Sequence, residues 1–245
     1  MITIKSQKEI ELMREPCKIL ADLLRLLEEK IEVGMPTNQL DKIAYDFITK
    51  YGGIPSFKGY GGFPSSICVS IDEQVVHGFP SDRRIKEGEI VSIDAGIYKN
   101  GFHSDAARSF YVGEIDAEKK RLIDVTKESF FKGIENISEG SALGTIGYQI
   151  QSFVEANGFN VVREMVGHGI GKNLHEDPNV PNYGKRGVGL RLKSGMTLAV
   201  EPMVNMGSHK LIIDGWKCET TDKKPSAHYE NTILITANGV EILTI

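Results

Sequence analysis

Hydrophobic residues recur at helical spacing near the start of the chain and predict an amphipathic helix over roughly 6–31. Ser6 and Glu9 form a capping box at its start. Pro16 lies inside this helix and is expected to kink it or to split it in two. The apolar positions that define the helix face are Ile10, Met13, Leu20, Leu24 and Leu27.

Three further helices are predicted from the same periodicity and from capping residues. The second helix begins with Thr37 as its N-cap and stops at Gly52-Gly53. The third helix opens at Asp116 and runs to about position 136, and the fourth opens at Thr145 and ends at Gly158.

The remaining apolar stretches are short and predict strands. They lie at about 67–71, 89–95, 196–204, 209–213 and 230–236, while residues 53–66, rich in glycine, proline and aromatics, predict a loop. Helices followed by strands, twice over, predict a single α+β domain of two similar halves, roughly 1–112 and 113–245. The helices are expected on one side of a mainly antiparallel sheet.

Composition narrows the protein class. The 245 residues are 40% hydrophobic and 25% charged, which is typical of a globular protein, and a net charge of -4 gives no electrostatic footprint for nucleic acid. No stretch approaches the ~20 apolar residues of a membrane span, and no secretory signal opens the chain. Three widely spaced cysteines without a CxxC motif argue against a disulfide framework or a thiolate zinc site. A cytoplasmic location is therefore expected.

The most informative local pattern is a predicted β-hairpin that carries two acids. Asn100-Gly101 is a strong two-residue hairpin turn, so paired residues have numbers that sum to 201. Asp94 then faces Ala107, and Asp105 is its diagonal neighbour on the same face, roughly 7–8 Å away at Cα. Two buried like charges this close either share a proton or hold a cation between them. The alternative is a pair of acids on a solvated sheet face.

Three other segments place metal-competent side chains in or against strands. His168 lies among glycines in 167–171, Glu201 ends an apolar strand, and Glu230 begins another. Each is unremarkable alone, as a satisfied histidine or a strand-end acid. Together with the hairpin they supply four carboxylates and one imidazole, which favours a shared site. Two divalent ions would cancel the four negative charges, and such hard ligands suit Mn, Fe or Co. Paired ions roughly 3.5–4 Å apart are typical of hydrolases.

These residues also carry a family resemblance. The run Met165–Gly171, followed by His175–Pro178, resembles type I methionine aminopeptidases of the pita-bread family, which includes creatinase and aminopeptidase P. The segments around Asp94, Asp105, Glu201 and Glu230 fit in order and spacing. The resemblance implies a pita-bread fold with a curved, mainly antiparallel sheet covered by helices on its outer face. It also implies an enzyme that removes the N-terminal methionine from nascent proteins and peptides when the second residue is small.

The resemblance assigns roles to individual residues. Besides binding metal, Glu201 would shuttle a proton. His175 would hydrogen-bond the scissile amide, and His77 would contact the substrate backbone. The implied ligands of two divalent ions (Mn, Fe or Co, with Zn also admissible) are Asp94, Asp105, His168, Glu201 and Glu230. The implied walls of the methionine pocket are Tyr60, Phe63, Cys68 and Trp216.

The sequence departs from the family at Leu174, where many relatives carry an aromatic residue. The family also implies a monomer, with N-terminal methionine peptides and nascent chains as substrates and with transient ribosome association. Two rival interpretations remain. One is a proline-directed peptidase on the same fold, and the other is a binding protein that has kept the fold and lost the chemistry.

Overall fold

Four α-helices pack in two pairs in the computed structural model, which describes residues 2–245. They are α1 (Gln7–Lys30), α2 (Thr37–Lys50), α3 (Ala117–Ile134) and α4 (Gly144–Ala156), with a 3-10 turn at Tyr60–Gly62. None of the helices in this part of the chain combines the length and apolar character needed to cross a bilayer.

The strands of the described residues pair antiparallel throughout. In the first half they are β1 (Ile54–Pro55), β2 (Ile67–Ile71), β3 (Gln74–Val76), β4 (Ile90–Lys99) and β5 (Phe102–Tyr111). In the second half they are β6 (Asn160–Val161), β7 (Gly167–Gly169), β8 (Glu176–Val180), β9 (Thr197–Val200), β10 (Met203–Asn205), β11 (Leu211–Asp214), β12 (Lys217–Thr220), β13 (Ser226–His228), β14 (Asn231–Ile235) and β15 (Val240–Ile242).

Two large apolar clusters form the core. One packs α1 and α2 against β2, β4 and β5, and the other packs α3 and α4 mainly against strands of the second half. The α+β prediction is confirmed. The symmetry of halves 1–112 and 113–245 stays a prediction.

The first helix shows how the chain accommodates a helix breaker. The capping box forms as predicted, with Ser6 N–H donating to Glu9 Oε2 at 3.0 Å. The predicted split at Pro16 does not occur, and α1 is continuous. A proline inside a helix leaves the carbonyl four residues earlier without its amide donor. That carbonyl, Leu12 O, accepts from Asn100 Nδ2 at 3.5 Å, so the hairpin turn supplies a replacement donor.

Two predicted helix starts were wrong by a short distance. The N-cap of α2 is Pro36, because the Thr37 hydroxyl bonds both the N–H and the carbonyl of Ser81. Helix α4 begins at Gly144, because the Thr145 hydroxyl accepts from Gly187 N at 3.0 Å. In both cases a distant segment uses the oxygen that was expected to cap the helix.

Strand boundaries also differ from prediction in two places. The strand expected over 196–204 is divided into β9 and β10 at Glu201-Pro202, since a proline offers no N–H to a ladder. The predicted loop 53–66 contains the short strand β1 and the 3-10 turn. The short strands β3, β6, β7, β8, β12, β13 and β15 were not assigned bounds from the sequence.

Candidate metal centre and adjoining pocket

The hairpin places its two acids as the sequence predicted. Asp94 pairs with Ala107 and Gly96 pairs with Asp105, so paired numbers sum to 201. Asn100 and Gly101 have φ values of 56° and 84°, the positive values that a two-residue turn requires. On the other side of β4, Cys68 pairs with Asp94, which puts the thiol on the same face as the carboxylate.

A backbone link between the halves brings Glu230 to Asp105. Ala107 and Glu230 exchange hydrogen bonds, at 2.9 Å from Glu230 N to Ala107 O and at 3.4 Å in the reverse direction. Asp105 N donates to Thr232 Oγ1 at 3.0 Å, and that hydroxyl donates to Asp105 O at 2.9 Å. Strand β5 thus lies alongside residues 230–232, and this pairing brings the Asp105 and Glu230 carboxylates close together.

His168 completes a tight cluster of donor atoms. Ligand atoms of Asp105, His168 and Glu230 all lie within 4.8 Å of one another. The two flanking glycines are required here, since a Cβ at Gly167 would lie 2.3 Å from Ala199 O and one at Gly169 would lie 2.2 Å from Asp177 O.

The His168 ring is oriented by its own strand. Its Nδ1 lies 2.9 Å from Gly169 O, so the ring proton sits on Nδ1 and the Nε2 lone pair is free. That Nε2 lies 3.7 Å from both Asp105 Oδ2 and Glu201 Oε1. Burial lowers the pKa of His168 to about 3, which keeps the imidazole neutral.

Burial and mutual repulsion make it costly for the four carboxyl groups of the site to ionise. Burial raises the pKa of Asp94 to about 7. Burial and then the neighbouring carboxylates raise the pKa of Asp105, Glu201 and Glu230 well above their usual range.

An oxygen of Asp94, of Asp105 and of Glu230 is buried without a hydrogen-bond partner. Buried acids without partners are costly, and divalent cations would relieve both the repulsion and the missing contacts. The donor set therefore fits divalent metal ions. It also excludes the alternative of a solvated acid pair.

A cavity of about 150 Å³ opens onto these carboxylates. Every site residue expected from the sequence lines it: Tyr60, Phe63, Cys68, His77, Asp94, Asp105, His168, His175, Glu201, Trp216 and Glu230. A larger cavity of about 640 Å³ lies between α1 and α3 and contains none of them. The sequence thus named residues that the fold gathers into one place.

The mouth of the small cavity is aromatic and imidazole-rich. His175 Nδ1 lies 2.7 Å from Tyr60 Oη, and its ring centroid is 4.3 Å from that of His168. Trp216 meets both Phe63 and His77 edge to face, at centroid distances of 5.4 and 5.5 Å. Desolvation lowers the pKa of His77 and of His175 below the usual imidazole value, so both rings are neutral at pH 7.

Sequence reasoning missed two residues of the site. Phe57 lines the cavity with Leu174 and lies in the aromatic-rich segment 53–66 that was predicted as a loop. His228 is 2% exposed, and its Nε2 lies 3.8 Å from Glu201 Oε2 and 4.0 Å from Glu230 Oε2 with no hydrogen-bond partner. Alternation along the strand, with 228 and 230 on one face, was the signal that could have found it.

Comparison with known proteins agrees with this geometry. A model of metallopeptidase family M24 matches residues 11–237. The chain is 57% identical over 247 residues to methionine aminopeptidase of Clostridium perfringens, covering 100% of this chain and 99% of that relative. It matches the crystal structure of methionine aminopeptidase from Thermotoga maritima with a TM-score of 0.98 at 45% identity, over 100% of this chain and 99% of the other.

A more distant likeness concerns the fold alone. Prolidase from Pyrococcus furiosus matches with a TM-score of 0.81 at 24% identity, over 99% of this chain and 65% of the prolidase chain. The predicted pita-bread fold is confirmed by these neighbours. The family model and the full-length relatives lead to one conclusion: the chain belongs to metallopeptidase family M24.

Proposed function

We propose that this protein is a metal-dependent aminopeptidase that releases N-terminal methionine from peptides and nascent chains whose second residue is small. One observation carries the proposal: two buried carboxyl groups, two partly buried ones and a neutral imidazole line the same small, largely apolar cavity. Its methionine aminopeptidase relatives, similar along the whole chain, support it. We place the enzyme in the cytoplasm, because newly made chains of this kind occur there. We also propose that it is a monomer.

Five residues are assigned as ligands of two divalent ions. Two such ions balance the charge of four ionised carboxylates while His168 stays neutral. When bound, they would supply Lewis-acid polarisation of the substrate carbonyl and acidify a water molecule. The ligands are Asp94, Asp105, His168, Glu201 and Glu230. Oxygen-rich coordination favours Mn, Fe or Co.

The apolar part of the cavity is assigned to the first side chain of the substrate. Phe57, Phe63, Cys68 and Leu174 pack together in one buried cluster, and Trp216 packs against it. The volume of about 150 Å³ is well below the ~300–1,000 Å³ of clefts that hold drug-sized ligands, so it suits a single side chain. Methionine fits because its flexible thioether makes favourable contacts with aromatic rings. Leu174 lies in this wall where many relatives carry an aromatic residue, so it bears on how the pocket holds the methionine side chain and not on the chemistry.

Proton transfer is assigned to Glu201. Its carboxyl is 14% exposed, lines the small cavity, and has Oε1 3.7 Å from His168 Nε2, so it lies beside the other proposed ligands and within reach of a water molecule there. A carboxylate in this position accepts a proton from water as that water attacks the peptide carbonyl. The same group then returns the proton to the leaving amine when the C–N bond breaks.

His175 is assigned to the carbonyl oxygen of the scissile bond. When the Tyr60 hydroxyl donates to Nδ1, the ring proton lies on Nε2, which is free to donate to substrate. A hydrogen-bond donor placed at the developing oxyanion lowers the barrier to attack on the carbonyl. His77, edge-on to Trp216 at the same mouth, is assigned to the peptide backbone.

The test is hydrolysis of Met-Ala-Ser by metal-free protein that has been reloaded separately with Mn, Fe, Co or Zn. We expect methionine release with at least one metal and none after chelation. Intact Met-Ala-Ser in the presence of bound metal would overturn the proposal. An X-Pro peptide run in parallel tests the proline-directed alternative, which would cleave it in preference.

The His175→Ala variant is the matched control for the assigned roles. We expect a fall in kcat on the order of 10²–10³, typical of losing one oxyanion donor, with bound metal unchanged. Loss of metal from this variant would show that His175 is a ligand and has been misassigned. A pure binding protein would show no activity to lose.

A further inference from the structure

The segment that carries His175 has no regular structure of its own. Residues 170–175 connect β7 to β8, and the His175 side chain itself is held by one hydrogen bond, to Tyr60 at 2.7 Å. A catalytic donor must stay within a fraction of an ångström of its working position. Other contacts must therefore fix this turn.

The side chain of Glu176, the next residue, is held by hydrogen bonds from the N-terminal segment and from the turn itself. This side chain is only 5% exposed, and Oε2 accepts from Lys5 Nζ at 2.7 Å and from Thr3 Oγ1 at 2.5 Å. The other oxygen, Oε1, accepts from Asn173 N at 3.2 Å, inside the turn. One carboxylate thus joins the N-terminal segment to the backbone on the other side of His175.

The Lys5 side chain is buried against Gly171, where any larger residue would take up the space that the lysine occupies. Lys5 is 7% exposed, and its backbone N–H donates to Gly195 O at 2.8 Å. A Cβ at Gly171 would lie 2.6 Å from Lys5 Cε and 2.7 Å from Glu176 Oε1. The ammonium group therefore lies directly under the turn. Gly171 O is held in addition by His103 N at 2.8 Å.

We propose that the Lys5–Glu176 ion pair, with Thr3, is a clamp that positions His175 for catalysis. Lys5 and Glu176 are positioning residues, because neither lines the small cavity that contains the assigned metal ligands. A well-packed apolar pair is often as stable as a buried ion pair, so stability alone does not account for charges here. What the charged pair adds is a set of directed hydrogen bonds on both sides of His175. The inference rests on the role proposed above for His175.

The experiment is a double-variant cycle between Lys5→Met and His175→Ala. Kinetics are measured on Met-Ala-Ser with metal-loaded protein, together with Tm and bound metal. In the natural background we expect Lys5→Met to lower kcat by roughly 10- to 100-fold with bound metal unchanged. In the His175→Ala background we expect it to change kcat less than about twofold, since the residue it positions is gone. Equal losses in both backgrounds would overturn the clamp.

Two further variants separate positioning from folding. The Lys5→Met/Glu176→Leu pair replaces the ion pair by apolar side chains and is expected to recover Tm while kcat stays low. Recovery of kcat along with Tm would mean a purely structural role and would overturn the proposal. Thr3→Val removes one hydroxyl at an exposed residue and is expected to lower kcat several-fold without a loss of folding. An unchanged kcat in this variant would count against the clamp.

Lys119→Met is the matched control. Lys119 Nζ donates to both oxygens of Asp72, at 2.8 and 3.0 Å, in a partly buried pair that does not line the small cavity. We expect its kcat to match the natural protein. If His175→Ala keeps full kcat, the role of His175 and the clamp both fail. If His175→Ala loses kcat while Lys5→Met keeps it, only the clamp fails.

Discussion

The crowded acids of the candidate metal centre lead to a quantitative prediction about the stability of the metal-free protein at different pH values. Asp94 has its pKa raised by burial to about 7, against 3.8 for an ordinary aspartate. Between about pH 4 and pH 7, the Asp94 carboxyl therefore keeps its proton in the folded state, whereas the same carboxyl in the unfolded chain has lost it. Stability falls with rising pH wherever the folded state binds more protons, so this carboxyl destabilises the protein progressively over that interval.

The magnitude follows from the two pKa values. Each tenfold change in the acid dissociation constant is worth about 1.4 kcal/mol, so Asp94 costs up to about 4 kcal/mol once it is fully ionised in the fold. Typical domains have only about 5–15 kcal/mol of total stability, so the loss should be measurable. Histidines act in the opposite direction below pH 6.5. The pKa of His168 and of His228 is lowered to about 3 by burial, so these rings stabilise the fold as pH rises.

Comparison with Asp94→Asn removes the histidine contribution, because both proteins carry the same imidazoles. We expect urea unfolding in EDTA, followed by circular dichroism at pH 5, 6, 7 and 8, to show the natural protein losing stability relative to Asp94→Asn. The steepest loss should approach about 1.4 kcal/mol per pH unit. Saturating Mn²⁺ should flatten the curve of the natural protein, since a cation favours the ionised carboxylates. A difference that is independent of pH, or that grows in favour of the natural protein, would refute the reasoning.

Three other variants test separate parts of the structure. Glu230→Gln should lower the metal content measured by inductively coupled plasma mass spectrometry, and a full complement of metal would contradict its assignment as a ligand. Gly101→Ala should cost about 1–2 kcal/mol in urea unfolding, because Gly101 has φ 84°, and an unchanged midpoint would contradict the turn geometry. Trp216→Ala should raise KM for Met-Ala-Ser roughly tenfold with bound metal unchanged, because it removes the ring edge-on to Phe63. An unchanged KM would mean that Trp216 does not contribute to binding the substrate side chain.

The parts of the fold that could be predicted from sequence are those governed by local chemistry. The Asn100-Gly101 turn requires positive φ at both positions, and it set the register of ten residue pairs between β4 and β5. The capping box at Ser6 and the cap at Asp116 fixed the starts of α1 and α3 in the same way. In each case the residues that interact are neighbours along the chain.

Predictions were wrong where a distant segment competed for the same atoms. The hydroxyls of Thr37 and Thr145 have the chemistry of N-caps, yet Ser81 and Gly187 engage them. Pro16 should interrupt a helix, yet Asn100 donates to the carbonyl that the proline leaves free. No local rule contains these partners, because they are brought near only by the completed fold.

The candidate site contains residues that could be predicted from the sequence and residues that only the completed fold reveals. Asp94 and Asp105 are anomalous in the sequence itself, because they lie in a strand pair that is expected to be buried on one face. His168, Glu201 and Glu230 are ordinary one by one, and they indicate a shared site only when they are counted together with these two acids. His228 was missed because a single histidine beside a strand end is ordinary until its Nε2 is seen facing Glu201 and Glu230. Lys5 was missed because a lysine near a helix start normally points to solvent, whereas Gly171 leaves room for this one beneath the turn. Sequence therefore identifies groups whose chemistry conflicts with their local surroundings. His228 and Lys5 are ordinary in sequence, and only their positions in the fold reveal which side chains they approach.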